Sequence, residues 1–127
     1  MSSPTLLDDS NVVFLFGELS AEPRQRSLPS GDVLVEFDVT TRGVVGTCST
    51  PVAWFLPDST GPASTVDAMT AGASVAVAGH VRRRFFRSGG ATMSRTEVVA
   101  DAVVAAPKAA ALGRLRKQVA AAALGST

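Results

Sequence analysis

Residues 33 to 42 alternate between apolar and polar side chains with a period of two, which is the pattern of a β-strand with one buried face. One face carries the apolar side chains Val33, Val35, Phe37 and Val39. The other face carries Leu34, Glu36, Asp38 and Thr40. A helix cannot bury such a set on one side, so this segment predicts a half-buried antiparallel strand.

Four further apolar runs, separated by turn residues, extend this pattern to a sheet of five strands. They cover residues 11–19, 52–56, 74–86 and 94–104. Pro23, Pro29 and Gly31 predict an irregular crossing between the first two strands. One short helix is predicted before Gly72, between the third and fourth strands, and residues 87–91 are predicted to form a hairpin loop.

The chain has 127 residues, of which 46% are hydrophobic, and it can bury one core but hardly two. We therefore predict one domain over residues 11–106, preceded by a flexible N-terminus over 1–10. Residues 107–127 are rich in alanine and basic residues. Leu112, Leu115 and Val119 recur there at helical spacing but Gly113 weakens a helix, so the segment is either a docked helix or a tail.

Charge and cysteine content limit the class of protein. The net charge is only +1, yet eight of the eleven acidic residues precede residue 60 and most of the basic residues lie at or beyond Arg82. Cys48 is the only cysteine, which excludes an internal disulfide and fits a reducing compartment. No run of eighteen apolar residues is present, so we expect a soluble, cytoplasmic protein that does not enter a membrane.

An enzymatic function finds little support in the sequence. One histidine, one cysteine and scattered carboxylates provide neither a metal-ligand cluster nor a nucleophile with its base. No Walker-type phosphate loop is present either. We predict a protein without catalytic residues, metal or cofactor.

The segment His80–Gly90, "HVRRRFFRSGG", combines four arginines with two phenylalanines. Strand alternation places Arg82, Arg84 and Phe86 on one side and assigns the other, apolar side to the core through Val75, Val77, Gly79 and Val81. Paired guanidinium groups about 7 Å apart, next to an aromatic ring, suit the phosphates and unpaired bases of single-stranded nucleic acid. The alternative is that these arginines serve solubility and protect a sheet edge.

Four segments of the sequence resemble, in order and with similar spacing, those of the bacterial single-stranded DNA-binding proteins. They read "NVVFLFGELSAEP", "GDVLVEFDVTTR", "AMTAGASVAVAGHVRRRFF" and "TEVVADAVV", within residues 11–104. The resemblance implies an all-β fold, a five-stranded oligonucleotide-binding (OB) barrel with one short helix, assembled as a homotetramer. It also implies non-specific coating of single-stranded DNA in replication, repair and recombination, and a nucleoid-associated location. By position, Arg82 and Arg84 match DNA-backbone contacts and Phe86 matches a stacking ring.

The sequence also departs from this family. The loop over residues 43–51 is short, Val45 stands where a stacking aromatic is expected, and Val52 stands where the family has another stacking residue, a tryptophan. Trp54 could substitute for that tryptophan, and Arg42 and Arg87 complete the candidate DNA-binding set. The family's acidic C-terminal tip is missing, which argues against partner recruitment through it and favours a divergent paralogue with weaker affinity. Two alternatives stay open: an OB-fold protein-interaction or assembly module with weak or no DNA binding, and RNA as the ligand.

Overall fold

The computed structural model describes residues 9–56 and 63–125. In chain order its elements are β1 (Val13–Leu19), β2 (Arg24–Ser27), β3 (Val33–Gly43), β4 (Gly46–Leu56), α1 (Ala63–Asp67), β5 (Ser74–Ser88), β6 (Ala91–Ala105) and α2 (Ala109–Leu124). The prediction of a mostly β chain is confirmed, although six strands form instead of five. Most of the predicted flexible N-terminus, residues 1–8, lies outside the described residues.

Five of the strands form a closed ring. The sheet order is β1-β5-β6-β4-β3-β2, and an additional pairing between β1 and β3 closes the ring. All neighbouring pairs are antiparallel except β4 and β6, which pair in parallel at Val52 and Ala53. β2 lies outside the ring and pairs with β3.

The strand β2 corrects the prediction of an irregular crossing after β1. It pairs with β3 from Arg24 opposite Glu36 to Ser27 opposite Val33. Pro23 precedes the paired residues and Pro29 follows them, so neither proline removes a hydrogen bond from the ladder. All four residues of β2 are exposed, and without an apolar face the strand has no hydrophobic pattern to reveal it.

The core lies inside the ring. It is built from twelve buried side chains: Leu19, Val35, Phe37, Val39, Val52, Trp54, Leu56, Met69, Val75, Val77, Val98 and Ala100. The alternation predicted for β3 is confirmed, since Val35, Phe37 and Val39 are buried there.

β3 and β4 form a hairpin with a two-residue turn, Val44-Val45, between Gly43 and Gly46. Gly46 has a φ of 105°, a conformation that residues with a side chain rarely adopt. The loop expected over residues 43–51 is therefore mostly paired strand. Both turn valines are fully exposed at the tip.

β5 and β6 form a second hairpin with fifteen residues in each strand. Its turn is Gly89-Gly90, with φ values of 57° and 82°, as a two-residue type I′ turn requires. The predicted loop over 87–91 thus shrinks to two residues. Val81 was expected in the core but is 41% exposed, although it lies opposite the buried Val98.

Helix α2 packs against β1 and β5, with Leu115 as its buried residue. Gly125 ends the helix in the left-handed conformation and donates its backbone N–H to Ala121 and Ala122 carbonyls. The sequence left open whether residues 107–127 form a docked helix or a tail. In the structure, Ala109–Leu124 form a helix. None of the helices in the described part of the chain is long and apolar enough to cross a membrane.

Candidate nucleic-acid interface

The outer side of β4, β5 and β6, opposite the core, carries a group of arginine and aromatic side chains. The β5–β6 register places Arg82 opposite Glu97, Arg84 opposite Arg95, and Phe86 opposite Met93. Directly opposed residues of an antiparallel pair point to the same side of a sheet. We call this surface the arginine face and define it by Phe55, Arg82, Arg84, Phe86, Arg95 and Glu97.

Glu97 lies at the centre of the arginine face and is only 3% exposed. Its Oε2 accepts a hydrogen bond of 2.7 Å from Nη2 of Arg82. Its Oε1 lies 3.6 Å from Nη2 of Arg84 and 3.9 Å from Nε of Arg95. A buried carboxylate is costly unless it is paired, and three guanidinium groups supply that pairing here.

The arginine face keeps a positive charge after this pairing. Three guanidinium groups surround one carboxylate, which leaves a formal charge of +2 in the cluster. Nε of Arg82 and Nε of Arg84 are buried and have no hydrogen-bond partner within the described residues. The three arginine side chains remain partly exposed, so each still offers N–H groups to an anion.

Two phenylalanine rings lie beside these arginines. The guanidinium carbon of Arg82 is 5.3 Å from the centre of the Phe55 ring, and that of Arg84 is 5.4 Å from the centre of the Phe86 ring. Both distances fall within the range of cation–π contacts. Since both rings are also partly exposed, each offers a flat apolar surface next to a fixed positive charge.

A groove of about 290 Å³ runs along this face towards β2. Its apolar lining is Leu28, Leu34, Ala53 and Phe55, and its charged lining is Arg26, Glu36, Arg82, Arg84 and Glu97. On the β2 side, Nε of Arg26 lies 3.7 Å from Oε1 of Glu36. The groove thus combines an apolar surface with arginines on two sides. This arrangement suits a polymer with flat ring groups and a negatively charged backbone.

A larger groove of about 460 Å³ lies elsewhere, between α2, the strands β5 and β6, and residues 11 and 12 before β1. Its lining is mostly apolar, with the pair His80 and Asp101 at its edge, 3.4 Å apart. Its lining residues include no arginine, phenylalanine, tyrosine or tryptophan. This groove therefore does not have the chemistry of the arginine face.

The structure brings three of the predicted site residues together, because Arg82, Arg84 and Phe86 share the arginine face. The expectation for Trp54 needs correction. Trp54 is 7% exposed and belongs to the core, so its ring cannot stack on a ligand. Its neighbour Phe55 points to the opposite side and places a partly exposed ring beside Arg82 on the arginine face.

The other two predicted residues, Arg42 and Arg87, lie apart from the arginine face. Nη1 of Arg42 lies 3.6 Å from Oε2 of Glu18, at the end of β3 next to the Val44-Val45 turn. Nη2 of Arg87 donates to the carbonyl of Gly90 at 3.2 Å, and strand alternation points Arg87 away from Arg84 and Phe86. Phe55, Arg95 and Glu97 are the face residues that sequence reasoning missed.

The described residues contain no group of three or more histidine, cysteine, aspartate or glutamate side chains placed to hold a metal ion. Cys48 is free and exposed. At the arginine face the described side chains offer positive charge, hydrogen-bond donors and ring surfaces.

No protein-family model matches the sequence, and a search of curated proteins finds no match either. Among solved structures, the fold is similar to that of a Plasmodium falciparum SSB in complex with ssDNA. The TM-score is 0.62 at 18% sequence identity, and the match covers 77% of this chain and 96% of that chain. The chain shares the fold of this SSB. Membership of the bacterial family stays a prediction.

Proposed function

We propose that this protein binds single-stranded DNA without sequence preference, through the arginine face. The observation that carries the proposal is the side-by-side placement of Arg82 with Phe55 and of Arg84 with Phe86. The similar fold of an SSB in complex with ssDNA supports it. We further propose that the five-stranded ring acts as an OB-fold barrel, that the chain works as a homo-oligomer, and that it serves replication, repair or recombination.

In this proposal each type of side chain has a separate task. The exposed N–H groups of Arg82, Arg84 and Arg95 bind phosphate oxygens, because a guanidinium donates two parallel hydrogen bonds to such an oxyanion. Phe55 and Phe86 stack on unpaired bases, which any base permits because every base has a π-face. Non-specific binding follows, since neither contact reads the edge of a base.

The test is a fluorescence-anisotropy titration with end-labelled oligo-dT over a series of salt concentrations. Affinity falls as salt rises, because bound cations are released from the phosphates. Replacing Arg82 and Arg84 together by glutamine lowers the steepness of the log-log salt dependence by about 1.4. The matched control replaces Arg114 and Lys117, exposed on α2, by glutamine and leaves the steepness unchanged. Circular dichroism checks that each variant is folded, since Glu97 loses two partners in the first one.

The competing function is a protein-interaction module, in which the arginines only compensate the charge of Glu97. One observation favours it, namely that Arg82 is already hydrogen-bonded to Glu97. In that case wild-type protein shows no anisotropy change with oligo-dT at low salt, and the DNA-binding proposal fails. Titration with oligo-U under the same conditions decides between DNA and RNA.

A further inference from the structure

Glu97 stands out because the described residues contain no other charged side chain that is buried. It lies beneath the surface that the proposed function uses, and its position on β6 brings it opposite Arg82. A negative charge at the centre of a DNA-binding face works against the attraction of phosphates. If this face binds DNA, Glu97 must contribute to binding in another way that outweighs its repulsion of phosphates.

We propose that Glu97 is a positioning residue for nucleic-acid binding: it fixes the guanidinium groups of Arg82, Arg84 and Arg95 in place before the ligand arrives. The inference rests on the proposed function. In the free protein the carboxylate pairs with Nη2 of Arg82, Nη2 of Arg84 and Nε of Arg95. The exposed N–H groups of the same guanidinium groups are left for the ligand's phosphates.

Two features of the cluster support this role. Arginine side chains have much rotamer freedom, and ordering them at the moment of binding would reduce affinity. The contacts of Glu97 order them at folding instead. Three guanidinium groups also offer about fifteen N–H donors, whereas a carboxylate has about four acceptor sites. The cluster thus has donors to spare for a second anion on its partly exposed guanidinium groups. The unpartnered Nε atoms of Arg82 and Arg84 are buried and are not among them.

The substitution Glu97→Gln tests the proposal by the sign of its effect. It keeps the shape of the side chain and makes the face more positive by one charge. If Glu97 were only a charge on the surface, affinity for oligo-dT would rise. If Glu97 positions the arginines, affinity falls in spite of the added positive charge. We expect binding about tenfold weaker, which corresponds to the loss of one charged hydrogen bond to phosphate.

Glu36→Gln is the matched control. Glu36 lines the same groove and pairs with the exposed Arg26 across β2 and β3. The substitution removes the same charge from the same groove and leaves the contacts of Glu97 intact. We expect oligo-dT to bind about two- to fivefold more tightly, as loss of a weak surface repulsion predicts.

A second readout uses no ligand. In ¹⁵N NMR spectra of the wild-type protein, the Nε–H signals of Arg82 and Arg84 should be those of ordered side chains, whereas that of Arg26 should be motionally averaged. In Glu97→Gln the Arg82 and Arg84 signals should become averaged too. This measurement separates a positioning role from a merely structural one, which would change thermal stability without mobilising the arginines.

The outcomes separate the two proposals. Absence of oligo-dT binding by the wild-type protein overturns the proposed function and, with it, this inference. Binding by the wild-type protein together with equal or tighter binding by Glu97→Gln overturns the inference alone. If Glu97→Gln does not fold, the wild-type spectrum decides: averaged Nε–H signals contradict positioning, and ordered signals that shift on addition of oligo-dT support it.

Discussion

Phe55 and Phe16 expose nearly the same fraction of their side chains, 37% and 39%, but lie in different surroundings. Phe55 is next to Arg82 in the groove of the arginine face. Phe16 lies on β1, opposite Ala76 of β5. Comparing the two therefore tests whether the Phe55 ring stacks on the ligand, as proposed, with Phe16 as an equally exposed ring outside the arginine face.

We predict that Phe55→Ala weakens oligo-dT binding by about 1 to 3 kcal/mol, the usual value of one stacked base. Phe16→Ala removes an equally exposed ring and leaves the affinity unchanged. Anisotropy titrations at a fixed salt concentration measure both. Equal losses in the two variants would show that the effect is not stacking on Phe55.

Replacing either of two glycines by alanine should change stability in opposite directions. At Gly79, an added Cβ would lie 2.0 Å from the carbonyl oxygen of Val99, and this backbone atom cannot move away easily. Gly113 lies within α2, and a Cβ there would meet nothing within 4 Å. We predict that Gly79→Ala destabilises the protein by about 2 kcal/mol or more, whereas Gly113→Ala stabilises it by about 1 kcal/mol.

Thermal or urea unfolding followed by circular dichroism measures both changes. If Gly79→Ala did not change stability, β5 and β6 could not approach each other as closely at the register shift as the structure shows. A destabilising Gly113→Ala would argue against a helix over Ala109–Leu124.

Trp54 shows what the sequence could and could not decide at the level of single residues. The run Val52-Ala-Trp-Phe-Leu is apolar at every position, so alternation does not show which of Trp54 and Phe55 faces the core. The register decides, because Trp54 pairs with Val35 and Phe55 with Leu34. Arg82, Arg84 and Phe86 could be grouped correctly because apolar residues mark the other side of β5 before the register shift.

At the scale of elements, the two hairpin turns fix this register. Counting back from Gly43 and Gly46 leads to Val35 opposite Trp54, and counting back from Ser88 and Ala91 leads to Arg82 opposite Glu97. Recognising Gly89-Gly90 as a two-residue turn would have placed Glu97 on the arginine face from sequence alone. The Val44-Val45 turn could not be recognised in this way, since valine is unusual in a turn.

The docking of helix α2 on the sheet can be tested by its contribution to stability. Leu115 is buried beneath the helix, and Leu124 is exposed at its end. Leu115→Ala should destabilise the protein by about 2 to 3 kcal/mol, because a buried side chain is removed from a packed site. Leu124→Ala should change stability little. Urea unfolding measures both, and equal effects would show that α2 does not dock through Leu115.

At the scale of the whole molecule, the net charge of +1 is too small to attract nucleic acid generally. Attraction has to come from the local charge of the arginine face, and the rings there need unpaired bases. We predict that duplex DNA of the same length binds at least roughly thirtyfold more weakly than oligo-dT, because neither Phe55 nor Phe86 finds an unpaired base to stack on. The measurement is displacement of labelled oligo-dT by unlabelled duplex and, separately, by unlabelled oligo-dT. If both competitors displace it equally well, binding depends on charge alone and the rings do not contribute.

The location of the interface can be tested directly by NMR. Oligo-dT is added to ¹⁵N-labelled protein and the backbone amide shifts are followed. We expect the largest shifts to cluster around the arginine face, at residues 53–55 of β4, 82–86 of β5 and 93–97 of β6. Largest shifts around His80 and Asp101 in the groove beside α2, or no shifts at low salt, would contradict it.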